Sequence, residues 1–189
     1  MALLPYADLS APPAQALVER IVRERGSVLH LYRMLLHSPP LAEGWLHYLT
    51  AVRQQLDLPG RLRELVIMRV AIVNGAPYEA DQHAPIALQE GLTRAQLDEL
   101  GDWAASQRFS PVERAALELA DVMTRQVQVP AAVLAAVQGL LGERQTVELV
   151  ATIAAYNMVS RFLEALHIHS DDDPRADTLQ SHQPPLPPP

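Results

Sequence analysis

The chain has 189 residues, 15 basic and 22 acidic side chains, a formal charge of −7 and 49% hydrophobic content. This is enough for a globular domain with a real core, and the acidic balance argues against nucleic acid or an anionic membrane as partner, since both require a basic face. There is no cysteine and no lysine, which excludes disulfides, thiolate metal sites, Cys nucleophiles, Schiff-base chemistry and a phosphate-loop lysine.

Apolar residues recur at spacings of three and four in an Ala-, Leu-, Arg-, Gln- and Glu-rich background, which predicts an all-α protein. A first helix is expected over 11–26, entered by Pro12-Pro13 and ended near Gly26, and a second over 28–37, stopped by Ser38-Pro39-Pro40. A third spans about 40–55. The Asp57-Leu58-Pro59-Gly60 turn opens a fourth over 60–74, ended by Asn74-Gly75. Pro77 suits the first turn of a helix over 77–90, with Gly91 as its C-terminal cap. Thr93 with Gln96 and Ser110 with Glu113 are capping boxes that open the next two helices. Pro130 starts a helix to about 141, and the last runs from Glu143 to about His167. Its apolar core, Val147 to Val159, is too short to span a bilayer and carries Glu148. The first residues lack the basic segment of a secretory signal, so a cytoplasmic location is expected.

Residues 1–169 read as one all-α domain of antiparallel helix pairs. Residues 170–189, from Ser-Asp-Asp-Asp-Pro-Arg to Pro-Pro-Leu-Pro-Pro-Pro, read as a disordered acidic and Pro-rich tail. His167-Ile-His169 followed by Asp171 and Asp173 reads as a charged helix end rather than a metal site, because His-x-His does not place both rings on one face. No metal is expected. Asn157, within the most apolar helix, is either a hydrogen-bond node or a pocket residue. A faint repeat with a period of 84 residues aligns Glu64-Leu65-Val66 with Glu148-Leu149-Val150, and a His follows each Glu after nineteen residues, His83 and His167.

The segment that can carry chemistry is Arg61 to His83. Glu79 and His83 are i and i+4 on one helix, so their side chains share a face. The Asn74-Gly75 turn can fold that face over the helix bearing Glu64. Two carboxylates and an imidazole would then meet in an apolar setting, where burial and mutual charge move proton affinities toward neutrality. The structural alternative is a surface Glu79-His83 pair with Glu64 complementing the helix dipole.

This hairpin resembles the carboxymuconolactone decarboxylase family, which shares its fold with the alkylhydroperoxidase D type proteins. The resemblance rests on Arg63 to Ile67, the Asn74-Gly75 turn, Tyr78-Glu79 followed by His83, and Ala87 to Leu92. Pro39 to Trp45 and Tyr156 to Arg161 extend it over roughly residues 28–168. It implies an alkylhydroperoxidase D-like helical bundle. In the peroxidase branch a Glu and a His flank two cysteines. Carried over by spacing, Glu64 and His83 take the outer positions, and the cysteine positions fall on Ala76 and Glu79. Thiol-dependent peroxide reduction is therefore excluded.

The decarboxylase branch needs no thiol and implies a cofactor-free lyase acting on a small carboxylated lactone or keto acid. His83 is expected to protonate the substrate carbon, with Glu64 or Glu79 orienting it. Arg69 and Arg63 are the expected clamps for a substrate carboxylate, with Tyr78 beside them. Long apolar faces and the resemblance together imply a homo-dimer, trimer or hexamer. The alternative is a non-catalytic homo-oligomer of the same fold that binds a small molecule or supports a partner.

Overall fold

The computed structural model describes residues 1–11 and 14–172. The expectations for Pro12-Pro13 and for the Pro-rich tail fall outside these residues. Among the described residues the chain is helical with no strand: α1 (Gln15–Arg25), α2 (His30–Leu35), α3 (Pro39–Gln54), α4 (Gly60–Asn74), α5 (Pro77–Gln89), α6 (Arg94–Glu99), α7 (Pro111–Arg125) and α8 (Ala131–Ala165). A 3-10 turn, Leu100–Asp102, follows α6. The helix at the N-terminus starts later than expected, at Gln15, after a turn in which the Asp8 carboxylate accepts the Ser10 amide at 2.9 Å.

Two compact units divide the chain, residues 49–165 and residues 1–48 with the segment from 166. In the smaller unit Tyr6, Ile21, Tyr32, Leu35, Leu46 and Ile168 are buried. The Leu3 amide donates to the Leu166 carbonyl at 2.9 Å, and the Tyr6 hydroxyl donates to Asp172 at 2.6 Å. The Asp172 carboxylate also accepts the His169 amide, so this one acid ties down the segment after α8.

The larger unit is built around α4. This helix buries Leu62 and every residue from Glu64 to Ala71, so it has no solvent face over two turns and packs against α5, α7 and α8. Pro59 precedes its first turn. Gly75 ends it at φ 64°, ψ 39°, a left-handed cap whose amide donates back into the last turn. The reversal that follows lets Pro77 start α5 at once, which sets α5 against α4. Both expected capping boxes form, Thr93 with Gln96 and Ser110 with Glu113. Gly142, at φ 74° and ψ 176°, divides α8 into two helices where the sequence places a break between 141 and 143. No helix among the described residues is long and apolar enough to cross a membrane.

Candidate functional site

Glu64 lies in the first half of α4 and is fully buried. His83, on α5, is 7% exposed, and its Nδ1 stands 2.7 Å from Glu64 Oε2. The other carboxylate oxygen accepts Arg63 Nε at 3.0 Å, and Arg63 reaches on to Glu90 at 3.0 Å. Burial pushes the Glu64 carboxyl up, but the bonds and charges of His83 and Arg63 outweigh this and hold it below the usual range. Burial pushes the His83 imidazole down more than Glu64 raises it, with Arg53 and Arg63 adding to the depression. The pair is therefore a carboxylate and a neutral imidazole. An ionised carboxylate only accepts, so Nδ1 carries the hydrogen and Nε2 keeps its lone pair. Nε2 has no partner among the described residues, which leaves a base oriented by a carboxylate.

Glu79 sits one turn before His83 on α5 and is also buried. Its Oε2 is hydrogen-bonded to the Ser160 hydroxyl of α8, and its Oε1 is buried with no partner. Burial, reinforced by the charge of Glu164, pushes its carboxyl up to about 8 despite Ser160. At pH 7 it holds a proton. Glu164, one turn beyond Ser160, likewise has a buried oxygen without a partner. The Tyr156 ring meets the His83 ring edge-on at 5.0 Å, and burial holds its phenol well above the ordinary value. α4, α5 and α8 thus bring a base, its orienting carboxylate and a proton-bearing acid into one apolar setting.

The remaining expected residues fall elsewhere. Arg69 is buried on α4 and grips Asp121 of α7 by Nε at 2.5 Å and Nη2 at 2.8 Å. Its Nη1 donates to the carbonyls of Leu100 and Gly101, both at 3.0 Å. Four of its donors are engaged, so it ties α4 to α7 and the α6 end and offers no fork to a substrate. Arg63 is spent on Glu64 and Glu90 and positions the dyad. Tyr78 is buried on α5, five residues before His83, about 140° round the helix from that face. Glu148, the repeat equivalent of Glu64, accepts the Leu58 amide at 2.8 Å and Arg144 Nε at 3.1 Å, which fastens the turn before α4.

Sequence reasoning missed Ser160, Tyr156, Glu164 and Arg53. The first three recur every four residues along α8, Tyr156, Ser160, Glu164, which is the signal of a single helix face. Arg53 is half-buried on α3, makes no hydrogen bond or ion pair among the described residues, and lies near enough to lower His83 by its charge. Among the described residues no three His, Asp or Glu side chains are grouped to hold a metal ion.

Comparison with known proteins agrees with this architecture. The profile of the carboxymuconolactone decarboxylase family matches residues 39–122. An uncharacterized Bacillus subtilis protein, YdfG, is 33% identical over 115 residues, covering 60% of this chain and 78% of that protein. A peroxidase-related protein from Ralstonia eutropha JMP134, described as an alkylhydroperoxidase AhpD core, superposes with a TM-score of 0.77 at 18% identity, over 90% of this chain and 93% of that one. The debrominase Bmp8, in a variant bound to 2,3,4-tribromopyrrole, superposes with a TM-score of 0.76 at 19% identity, over 94% of this chain and 96% of that one. The chain belongs to the carboxymuconolactone decarboxylase family, with an alkylhydroperoxidase D-like all-α fold.

Proposed function

We propose that the chain is an acid–base enzyme, a decarboxylase or proton-transfer isomerase acting without a thiol on a small carboxylated lactone or keto acid. The observation that carries this reading is the pairing of a neutral, carboxylate-oriented His83 with a proton-bearing Glu79 one turn away. It supports roles different from those expected from sequence. A buried neutral imidazole that gives Nδ1–H to Glu64 has no proton to donate from Nε2. His83 is the base and Glu79 the acid.

In the decarboxylation arm the bond to the substrate carboxylate breaks and its electron pair flows into the conjugated carbonyl. CO2 leaves, Glu79 gives its proton to the carbanionic carbon, and water restores that proton. In the isomerisation arm His83 Nε2 removes a proton beside the carbonyl while Glu79 protonates the far end of the enolate, and exchange with water then takes the proton from His83 and restores that of Glu79. Arg53 is the cation best placed to hold a substrate carboxylate, since no protein acid neutralises it among the described residues.

The same reading includes self-association, supported by the exposed Leu140 and Val147 on either side of the Gly142 break.

The test is CO2 release and solvent-deuterium incorporation with 4-carboxymuconolactone and a panel of β-keto and vinylogous keto acids. Glu79→Gln should lower kcat in either arm by about 10²-fold or more and His83→Gln should do so for proton exchange and isomerisation, whereas Arg53→Gln should raise KM. Turnover unchanged in His83→Gln and Glu79→Gln would overturn the assignment.

A further inference from the structure

We infer that the groove bounded by the end of α7, residues 126–130 and one face of α8 is a binding site for an amphipathic carboxylate, separate from the Glu64–His83 dyad. The groove has a volume of about 660 Å³, within the range of small-molecule pockets. Met123, Leu134, Val150, Ala154 and Met158 supply an apolar bed. The charged side chains on it are both cations, Arg125 and Arg161, and no acid lines it among the described residues.

α8 separates this groove from the dyad. Tyr156 and Ser160 turn toward His83 and Glu79. Asn157 and Arg161, each one residue later and so about 100° further round the helix, line the groove. Asn157 is buried with every polar position used. Its Nδ2 donates to Thr124 Oγ1 and the Ile153 carbonyl, both at 3.0 Å. Its Oδ1 accepts Asn74 Nδ2 at 3.1 Å and Arg161 Nη1 at 2.7 Å. Arg161 Nη1 also donates to the Asn157 carbonyl at 3.1 Å. Three helices therefore fix one nitrogen of the guanidinium. Nε and Nη2 stay without a protein partner among the described residues.

A pre-positioned arginine with two free donors at the edge of an apolar groove matches a carboxylate head on an apolar body. A neutral lipid would leave the guanidinium uncompensated, and a small inorganic anion would leave the bed empty. Arg125 adds to the positive field. Its carboxylate partner Asp121, at 2.9 Å, is shared with Arg69, so two cations face one anion there.

The test is isothermal titration of the full chain with sodium octanoate, with octan-1-ol and sodium acetate as the neutral and tailless probes. Octanoate should saturate one site, and octanol and acetate should each bind about tenfold more weakly or not at all. Arg161→Gln and Met158→Asp should each weaken octanoate by about tenfold or more, and His83→Gln should leave it unchanged. Should Arg161→Gln fail to fold by circular dichroism, Arg161→Lys, which keeps the charge and loses the fork, takes its place with the same expected direction. Absence of saturable binding overturns the inference, as does binding indifferent to the Arg161 and Met158 changes. Loss of binding in His83→Gln would place octanoate at the dyad instead. A concentration-dependent dimer in sedimentation that Met158→Asp breaks, with no octanoate binding, would make the occupant a second copy of the chain.

Discussion

Glu79 stands where the peroxidase branch would place a sulfur, and its buried surroundings let a carboxyl there retain its proton at neutral pH. With the folded value raised from 4.5 to about 8, its contribution to stability is fully present below about pH 4.5 and is lost as pH rises through 8. Glu79→Gln should therefore be more stable than the parent at pH 9 by ~2–4 kcal/mol and nearly equal at pH 4, as read by urea denaturation at each pH. The same residue should set the alkaline limb of the kcat/KM profile near 8, while the acid limb, owned by His83, should lie below 6.5. An alkaline limb that survives Glu79→Gln would remove Glu79 from the acid role. Arg69 offers the contrasting case of a buried charge with a structural task. Arg69→Leu strands Asp121 with one exposed arginine and should cost ~3–5 kcal/mol in thermal or chemical unfolding. At temperatures where it remains folded, its KM should match the parent, which a substrate clamp would not permit.

At the scale of elements, α4 and α8 show how ordinary helix rules deliver the site. Over its continuously buried stretch, Glu64 to Ala71, α4 is apolar except at Glu64 and Arg69, so each of these two is forced to find a partner inside, His83 and Arg63 for one and Asp121 for the other. α8 needs a residue at φ 74°, ψ 176° to turn from its first helix to the one that faces the dyad. Nothing crowds the Gly142 α-carbon, so the cost of a side chain there is purely conformational. Gly142→Ala should destabilise by ~1–3 kcal/mol. Gly139→Ala, three residues earlier on an exposed helical turn, should stabilise by ~0.5–1 kcal/mol. Paired thermal melts of the two variants check both signs at once. Equal melting temperatures would mean that the break is not enforced by residue 142.

For the whole molecule, the buried titrating groups confine stability from both sides of neutrality. Because His83 is depressed below 6.5 in the fold, its contribution is present above that value and fades as pH falls. Glu64, depressed below 4.5, adds to the same loss at still lower pH, while Glu79 acts at the alkaline end. The self-association proposed above would use exposed apolar surface rather than charge. Sedimentation velocity at micromolar concentration should show species larger than one 20.8 kDa chain, and Val147→Glu with Leu140→Glu should shift the distribution toward the single chain. A monomer in the parent would contradict the proposed association.

The sequence by itself determined the helices, because Pro, Gly and capping-box residues act within one turn of where they stand. Pro59-Gly60, Asn74-Gly75, Pro77, Thr93, Ser110 and Gly142 mark boundaries that the fold uses. It also determined that Glu79 and His83 share a face, since i and i+4 spacing is a property of any helix, and its motifs pointed to the family. Only the tertiary structure decided the chemistry of that face. Protonation depends on burial and on partners remote in sequence: burial holds His83 neutral while Glu64 orients it, and burial with the charge of Glu164, over eighty residues from Glu79, keeps the Glu79 carboxyl protonated. The same dependence turned Arg69 from a candidate clamp into a structural tie. Asn157, read from sequence as either a hydrogen-bond node or a pocket residue, is both, because one helix face joins three helices and borders the groove. Local rules write the elements; the charge state of a buried side chain is set by whatever the fold packs against it.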